Sequence, residues 1–338
     1  MSKYRSIAVI YGSDTSESEV SCRSGEFVSS RLDGDSYDIY EIFARFGKWS
    51  LVAYKKRSSM RVTFPEGARP EVDKNDFSVT ALGQKVKFDY AYIVQHGAPG
   101  ENGLLQGYLE MIGVPFNTCS SFVSTIAFDK HACKSWLRGA ETVKFAPDVF
   151  VREGMDLDNF AAEVDSRLSF PVFVKPTQGG SSFGVSKVSE PSGLIPAVRF
   201  AFSEGASVLV EQGISGRELT VAAYRKAGEV ATLPPIEIVT DNEYFDYDAK
   251  YNGHSREICP AVIDADISGR LADATREIYS RLGCRGVVRM DYILADDGLY
   301  FLEVNTIPGM TSASLVPKMV AAAGIDMTEF LRGIIEDS

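Results

Sequence analysis

The residues with the clearest chemical purpose lie between Gly286 and Asn305. Val287-Val288-Arg289-Met290-Asp291-Tyr292-Ile293 alternates around Arg289 and Asp291, and Tyr300-Phe301-Leu302-Glu303-Val304-Asn305 alternates around Glu303 and Asn305. Asp296-Asp297-Gly298 between them suits a three-residue hairpin loop with a left-handed glycine, which pairs Ala295 with Leu299. Counting back sets Asp291 opposite Glu303 and Arg289 opposite Asn305, with all four polar groups on one face. Directly opposed carboxylates repel, and a cation between them removes that cost. Carboxylate and amide oxygens suit Mg²⁺, which also favours phosphate oxygens. A solvated strand face, with Arg289 paired to Asp291, accounts for these four residues equally well. The polar, glycine-containing loop from Thr306 to Thr311 directly after them favours the metal.

A second constellation suits phosphate. Phe173-Val174-Lys175-Pro176 places a lysine at the end of an apolar strand, followed by Thr177-Gln178-Gly179-Gly180-Ser181-Ser182-Phe183-Gly184. Glycine and serine amides in a tight loop can wrap phosphate oxygens, and the lysine adds charge. Taken alone, such a loop reads better as a flexible hairpin beside a snorkelling lysine. The chain has neither G-x-x-x-x-G-K-[ST] nor G-x-G-x-x-G. Glu211-Gln212-Gly213-Ile214 ends another apolar strand, where backbone groups could meet an adenine edge and Glu218 a ribose. Acidic residues at strand ends are also commonly just solvated.

Two further loops follow strands near the start of the chain. In Gly12 to Ser21, Ser16 and Glu19 have capping-box spacing, which gives Glu19 a structural job and leaves Glu17 for a ligand amine or for the helix dipole. His96-Gly97-Ala98-Pro99-Gly100-Glu101-Asn102-Gly103 sits after the strand ending at Gln95, where open α/β sheets bind ligands. His96 is one of three histidines and has no H-E-x-x-H or cysteine partner, so it reads as a substrate or turn residue and not a zinc ligand.

The elements that must carry these loops alternate. Ser6 to Tyr11 and Phe88 to Gln95 read as buried strands and Leu104 to Ile112 as a helix, giving a small parallel α/β sheet. Lys55 to Asp76 is polar and wanders. Phe122 to Arg138 reads as one helix, Leu157 to Leu168 as another, and Pro171 to Lys175, Gly184 to Val188 and Val208 to Glu211 as strands of an α+β unit. Glu218 to Arg225 opens a third segment, with helices at Ser268 to Leu282, Leu315 to Ala323 and Thr328 to Ile335. At 338 residues the chain exceeds the roughly 250–300 at which single cores stop growing, so it divides into domains. The net charge of -11 repels nucleic acid and anionic membranes. Five scattered cysteines give no disulfide framework, and no apolar run reaches the ~20 residues of a membrane helix. The chain reads as cytoplasmic.

In this order the segments resemble the D-alanine–D-alanine ligases of the ATP-grasp superfamily over almost the whole chain. HGAPGENG with LLQG after it, FDK at 128–130, VKPTQGGSSFGVSK, FDYDAKY at 245–251 and LEVNTIPGMTSASL at 302–315 carry the likeness. The resemblance implies an ATP-grasp fold of α/β and α+β units in three domains: an N-terminal parallel α/β domain at 1–118, a central subdomain at 119–212 and a C-terminal subdomain at 213–338. It implies ATP-dependent formation of D-alanyl-D-alanine through an acyl phosphate, for peptidoglycan precursors. Lys130, Lys175, Ser182, Glu211, Gln212, Ile214 and Glu218 match nucleotide positions, and Asp291, Glu303 and Asn305 match positions for two Mg²⁺ or Mn²⁺ ions. Glu17, Ser181 and Tyr251 match a hydrogen-bonded set near the first D-alanine, and Arg289 and the Gly309 amide match the oxyanion positions. His96 belongs to the substrate loop, and Lys250, Ser314 and Leu315 match positions for the second D-alanine. A homodimer is implied, as is a lid over Asp241 to His254.

There are departures. Ser13 stands where the family often has a second glycine, Ile307 stands where a small polar residue is expected before Pro308, and Tyr37 to Lys87 matches loosely. Tyr251 favours the dipeptide over D-alanyl-D-lactate. The rival readings are a D-Ala–D-Ser or D-Ala–D-Lac ligase, another ATP-grasp enzyme, and a catalytically silent nucleotide-binding protein. The intact Lys175, Arg289, Asp291, Glu303 and Asn305 speak against the last.

Overall fold

The computed structural model describes residues 3–180, 183–240 and 255–338. The first part of the chain runs β1 (Ser6–Tyr11), α1 (Ser18–Arg31), β2 (Asp38–Arg45), β3 (Lys48–Lys55), β4 (Val62–Thr63), β5 (Val72–Asp73), β6 (Ser78–Ala81), β7 (Gln84–Lys87), β8 (Tyr90–Ile93) and α2 (Leu104–Met111). Its main sheet has the order β4-β3-β2-β1-β8. The pairs β1–β2 and β1–β8 are parallel, as the alternation of strand and helix predicts, while β3 and β4 extend the sheet antiparallel. Ile7, Val9 and Tyr11 enter one core and Ala8 and Ile10 the other, so β1 is buried on both faces.

Next come α3 (Ser121–Phe128), α4 (Lys130–Leu137), β9 (Asp148–Arg152), α5 (Leu157–Arg167), β10 (Val172–Pro176), β11 (Ser186–Val188), α6 (Leu194–Phe202) and β12 (Ser207–Gln212). The helix expected over Phe122 to Arg138 is two helices. Asp129 breaks it: at φ -98° and ψ 109° its side chain accepts from the Ala132 amide and caps α4. The order β11-β10-β12-β9 makes an antiparallel sheet covered by α5 and α6.

The last part holds β13 (Arg217–Lys226), β14 (Glu229–Thr232), β15 (Ile236–Thr240), β16 (Ser255–Ile258), α7 (Ala265–Leu282), β17 (Val288–Ala295), β18 (Gly298–Asn305), α8 (Leu315–Ala322) and α9 (Met327–Glu336). Its sheet runs β16-β15-β13-β17-β18 with β14 on β13. Asp264 caps α7, and Leu271, Ile278 and Leu282 line the buried stripe. That stripe packs with Val123, Cys133 and Leu137 of α3 and α4 on the sheet residues Met290, Tyr292 and Phe301. Truncating a fully buried residue such as Ile278 to alanine costs ~2–5 kcal/mol. The α8 and α9 residues Val316, Met319, Phe330 and Ile334 join the core of the first sheet, tying the two ends of the chain together. Among the described residues no helix is long and apolar enough to cross a membrane.

Candidate active site

The hairpin of β17 and β18 pairs Asp291 with Glu303 and Arg289 with Asn305, as its sequence predicts. The turn does not follow the prediction. Ala295 pairs with Gly298, not Leu299, leaving a two-residue loop. A β-bulge then intervenes, because Tyr292 pairs with Phe301 while Asp291 pairs with Glu303. Leu302 is the extra residue, and it restores the register before the polar groups are reached. The bulge also moves Phe301 off the polar face. Phe301 and Val304, three apart, both face the core.

Arg289 donates Nε to Asp291 Oδ1 at 2.9 Å and a terminal nitrogen to Oδ2 at 2.8 Å. Asp291 also accepts from Thr220 Oγ1 at 2.6 Å and Asn305 Nδ2 at 3.2 Å. Burial opposes the charge on Arg289, but Asp291, Glu303 and Glu101 outweigh it and hold the guanidinium further above its ordinary pKa. Lys130 Nζ lies 3.7 Å from Glu303 and donates to the Gly179 carbonyl at 3.0 Å.

Lys130, Gly179, Arg289, Glu303 and Asn305 line a cavity of about 390 Å³ shared by all three parts of the chain. Glu17 and His96 reach it from the first sheet, Lys130 and Gly180 from the middle, and Arg289, Glu303, Asn305, Gly309, Ser314 and Leu315 from the end. Gly97 adopts φ 71°, and a Cβ there would lie 2.5 Å from Thr15 Oγ1 and 3.0 Å from Glu17 Oε2, so only glycine lets these loops meet. A Cβ on Gly180 would lie 3.0 Å from Glu17 Oε1, so Gly180 abuts Glu17. Ser314 is the N-cap residue of α8 and its Oγ accepts from the Thr311 amide at 3.0 Å.

The capping box expected for α1 is not formed. The helix starts at Ser18, its N-cap residue Glu17 makes no side-chain capping bond, and Thr15 Oγ1 accepts from the Glu17 amide at 3.3 Å. The Thr15 turn takes the place that Ser16 was expected to fill.

Of the other expected nucleotide residues, Lys175, Glu211, Gln212, Ile214 and Glu218 do not line this cavity. Lys175 on β10 is ion-paired with Glu211 on β12, and Lys134 of α4 pairs with the same carboxylate. Lys134 also meets Asp148 at 2.6 Å and the Ala146 carbonyl at 3.0 Å. Burial alone would raise Glu211, but Lys175 and Lys134 hold it down at about 2. The Gln212 side chain turns to the Ser169 amide at 3.0 Å, Ile214 is half-buried after β12, and Glu218 lies on β13 opposite Ile293. Ser181, Ser182 and the whole Asp241 to His254 stretch, with Lys250 and Tyr251, lie outside the described residues.

Sequence reasoning passed over several neighbours. Glu101 lines the cavity, accepts from the Gly97 amide at 2.9 Å, and is raised to about 8 by burial and by the charge of Glu17. Its signal was its place within HGAPGENG. Lys134, one helical turn after Lys130, was legible as a same-face lysine. Thr220, opposite Asp291, had no signal short of the sheet order.

As a cation site the hairpin offers two carboxylates and an amide, all hard oxygen donors. Among the described residues no three His, Cys, Asp or Glu side chains gather as a metal centre, so the third donor at the hairpin is the Asn305 amide. The fit is with Mg²⁺ or Mn²⁺, with Glu303 and Asn305 facing the cavity and Asp291 behind Arg289.

The family model for the D-ala D-ala ligase N-terminus matches residues 6–119, and that for the C-terminus matches residues 139–336. The chain belongs to the D-ala D-ala ligase family. A D-alanine–D-alanine ligase of Parabacteroides distasonis is 42% identical over 98% of this chain and 97% of its own. The VanG D-Ala:D-Ser ligase of Enterococcus faecalis superposes with a TM-score of 0.86 at 30% identity, covering 98% of this chain and 99% of the other. D-alanyl-alanine synthetase A of Vibrio cholerae gives 0.84 at 26% identity, covering 99% and 98%. The ATP-grasp fold expected from the motifs is the fold of these relatives.

Proposed function

We infer that the protein is an ATP-dependent ligase that joins two D-alanines into D-alanyl-D-alanine for the cell wall. The observation that carries this reading is the single cavity in which Glu17, Lys130, Arg289, Glu303, Gly309 and Ser314 meet from three parts of the chain. It gathers an amine anchor, cations for phosphate and carboxylate, an oxyanion donor and a helix N-terminus.

Glu17 holds the ammonium of the first D-alanine, together with Ser181 and Tyr251. Lys130, Lys175 and the loop through Ser182 hold the ATP phosphates, while the strand ends near Glu211, Gln212 and Ile214 meet the base and Glu218 the ribose. The substrate carboxylate attacks the γ-phosphorus, the bond to ADP breaks, and an acyl phosphate forms. Arg289 and the Gly309 amide stabilise the negative charge that grows on the carbonyl oxygen. Ser314, Leu315 and Lys250 hold the carboxylate of the second D-alanine, with the α8 N-terminus adding its dipole. The amine attacks the acyl carbon, loses a proton, and inorganic phosphate leaves. Asp291, Glu303 and Asn305 would hold one or two Mg²⁺ or Mn²⁺ ions, which neutralise phosphate charge. Water destroys an acyl phosphate, and residues 241–254 serve as the lid that excludes it.

The reading includes three domains at 1–118, 119–212 and 213–338, a homodimer, and a cytoplasmic location. A D-Ala–D-Ser product is the second reading, favoured by the likeness to the Enterococcus faecalis enzyme. The test is incubation with ATP, Mg²⁺ and D-alanine, with D-serine and D-lactate competing. Phosphate released in step with D-alanyl-D-alanine supports the first reading. A mixed product moves the assignment to the second, and ATP bound without turnover refutes both.

A further inference from the structure

Between the cavity and the first sheet, Ser24 of α1 joins two loops far apart in sequence. Ser24 is fully buried, and its Oγ lies 2.9 Å from His96 Nε2. The same oxygen accepts from the Met310 amide at 3.3 Å. His96 Nδ1 lies 3.0 Å from the Ile307 carbonyl. Only one proton arrangement satisfies every partner of the neutral ring. The Ile307 carbonyl can only accept, so His96 Nδ1 carries the proton; Nε2 is then an acceptor, and the Ser24 hydroxyl donates to it. Burial, the largest influence on His96, favours this neutral ring, although Glu17 opposes it.

The chain grips the segment 307–310 at both ends, through the Ile307 carbonyl and the Met310 amide. Pro308 has no amide hydrogen. Between them Gly309 lines the cavity, and no described residue accepts a hydrogen bond from its amide. A Cβ at Gly309 would lie 2.9 Å from Ser314 Oγ, so the Gly309 backbone packs directly against the N-cap residue of α8.

We propose that Ser24 and His96 form a strap that positions the Gly309 amide for the developing oxyanion, making Ser24 a positioning residue for the reaction. His96 acts through both ring nitrogens on the protein and presents only its remaining surface to the substrate. The proposal rests on the ligase reading and on Gly309 as the oxyanion donor.

The test is steady-state dipeptide formation by the full chain and by S24A, H96N and S24A/H96N, with active sites counted by nucleotide binding. Asparagine keeps a donor for Ile307 and loses the Ser24 contact. Wild-type protein that makes no dipeptide refutes the ligase reading itself, before any variant is compared. Given an active wild type, S24A should lose ~10–100-fold in kcat per folded site, because a misplaced oxyanion donor acts on the transition state. KM for ATP should stay within about twofold, since only transition-state stabilisation is lost. H96N should lose a similar factor, and the double variant should be no worse than the poorer single one. If S24A does not fold, H96N alone decides. Normal kcat per folded site in either variant, a melting loss without a kcat loss, or losses that multiply in the double variant would each overturn the strap.

Discussion

The hairpin cluster of Arg289, Asp291 and Glu303 and the central cluster of Lys134, Lys175, Asp148 and Glu211 are made from the same kinds of charge and are put to different uses. In the central cluster two lysines and two carboxylates close on each other, with Lys134 almost fully buried. In the hairpin one carboxylate is saturated while Glu303 and Asn305 face a cavity. A closed, balanced cluster contributes mainly to stability and pre-organisation, here with Lys134 holding in place the proposed nucleotide residues Lys175 and Glu211. An open one keeps its field for a ligand. Variants of the two should therefore separate by what they damage.

The largest effect is expected for Glu303→Gln. It should lower turnover roughly 10³-fold or more by removing a cation ligand while leaving the melting temperature near normal. Phosphate release at varied Mg²⁺ checks this, and near-normal rates would sink the metal assignment. Arg289→Lys keeps the charge but loses the planar fork that grips Asp291. It should lower kcat by about 10²-fold.

On the central side, Lys134→Met should act in the opposite sense. Asp148 would then lose its lysine and Glu211 would keep only Lys175, and breaking such a buried pair costs ~3–5 kcal/mol. Denaturant unfolding should show that loss, with kcat at saturating ATP changed only a few-fold. The pH dependence follows from the sign of the Glu211 shift. Its carboxyl is depressed to about 2 from an ordinary 4.5, so its contribution is fully present above pH 4.5. It is lost as the pH falls towards 2, where the folded state also takes up the proton. The acid-unfolding midpoint of Lys134→Met should therefore lie at higher pH than that of the wild type. The smallest change is expected for Tyr251→Phe, which should shift the ratio of D-alanine to D-serine or D-lactate products while ATP affinity holds. Lost ATP binding with an unchanged product ratio would show that Tyr251 belongs elsewhere.

The sequence made the hairpin legible because period-two alternation survives any turn geometry near the polar residues. Arg289 opposite Asn305 and Asp291 opposite Glu303 came out as read, although the turn itself did not. The core-facing side of Phe301 was not legible, because a bulge leaves no mark in composition. The break at Asp129 was missed because Phe122 to Arg138 keeps a helical apolar pattern through the cap. Glu101, Ser24 and Lys134 owe their roles to loops and helices brought together by the fold, and one chain read alone carries little trace of such pairings. The order β15-β13-β17, which sets Thr220 against Asp291, is of the same kind.

The bulge at Leu302 also has a genetic consequence. It makes the hairpin unequal in its tolerance of length changes. Exchanges at the exposed turn residues Asp296 and Asp297 leave the alternation beyond Leu302 in phase. Deleting the single codon for Leu302 would remove the bulge and leave Glu303 opposite Asp291 and Asn305 opposite Arg289, whereas deleting Val304 would carry Asn305 to the place opposite Met290, on the core face. In a library of one-residue deletions, position 302 should therefore be better tolerated than position 304, although both adjoin Glu303 in the chain.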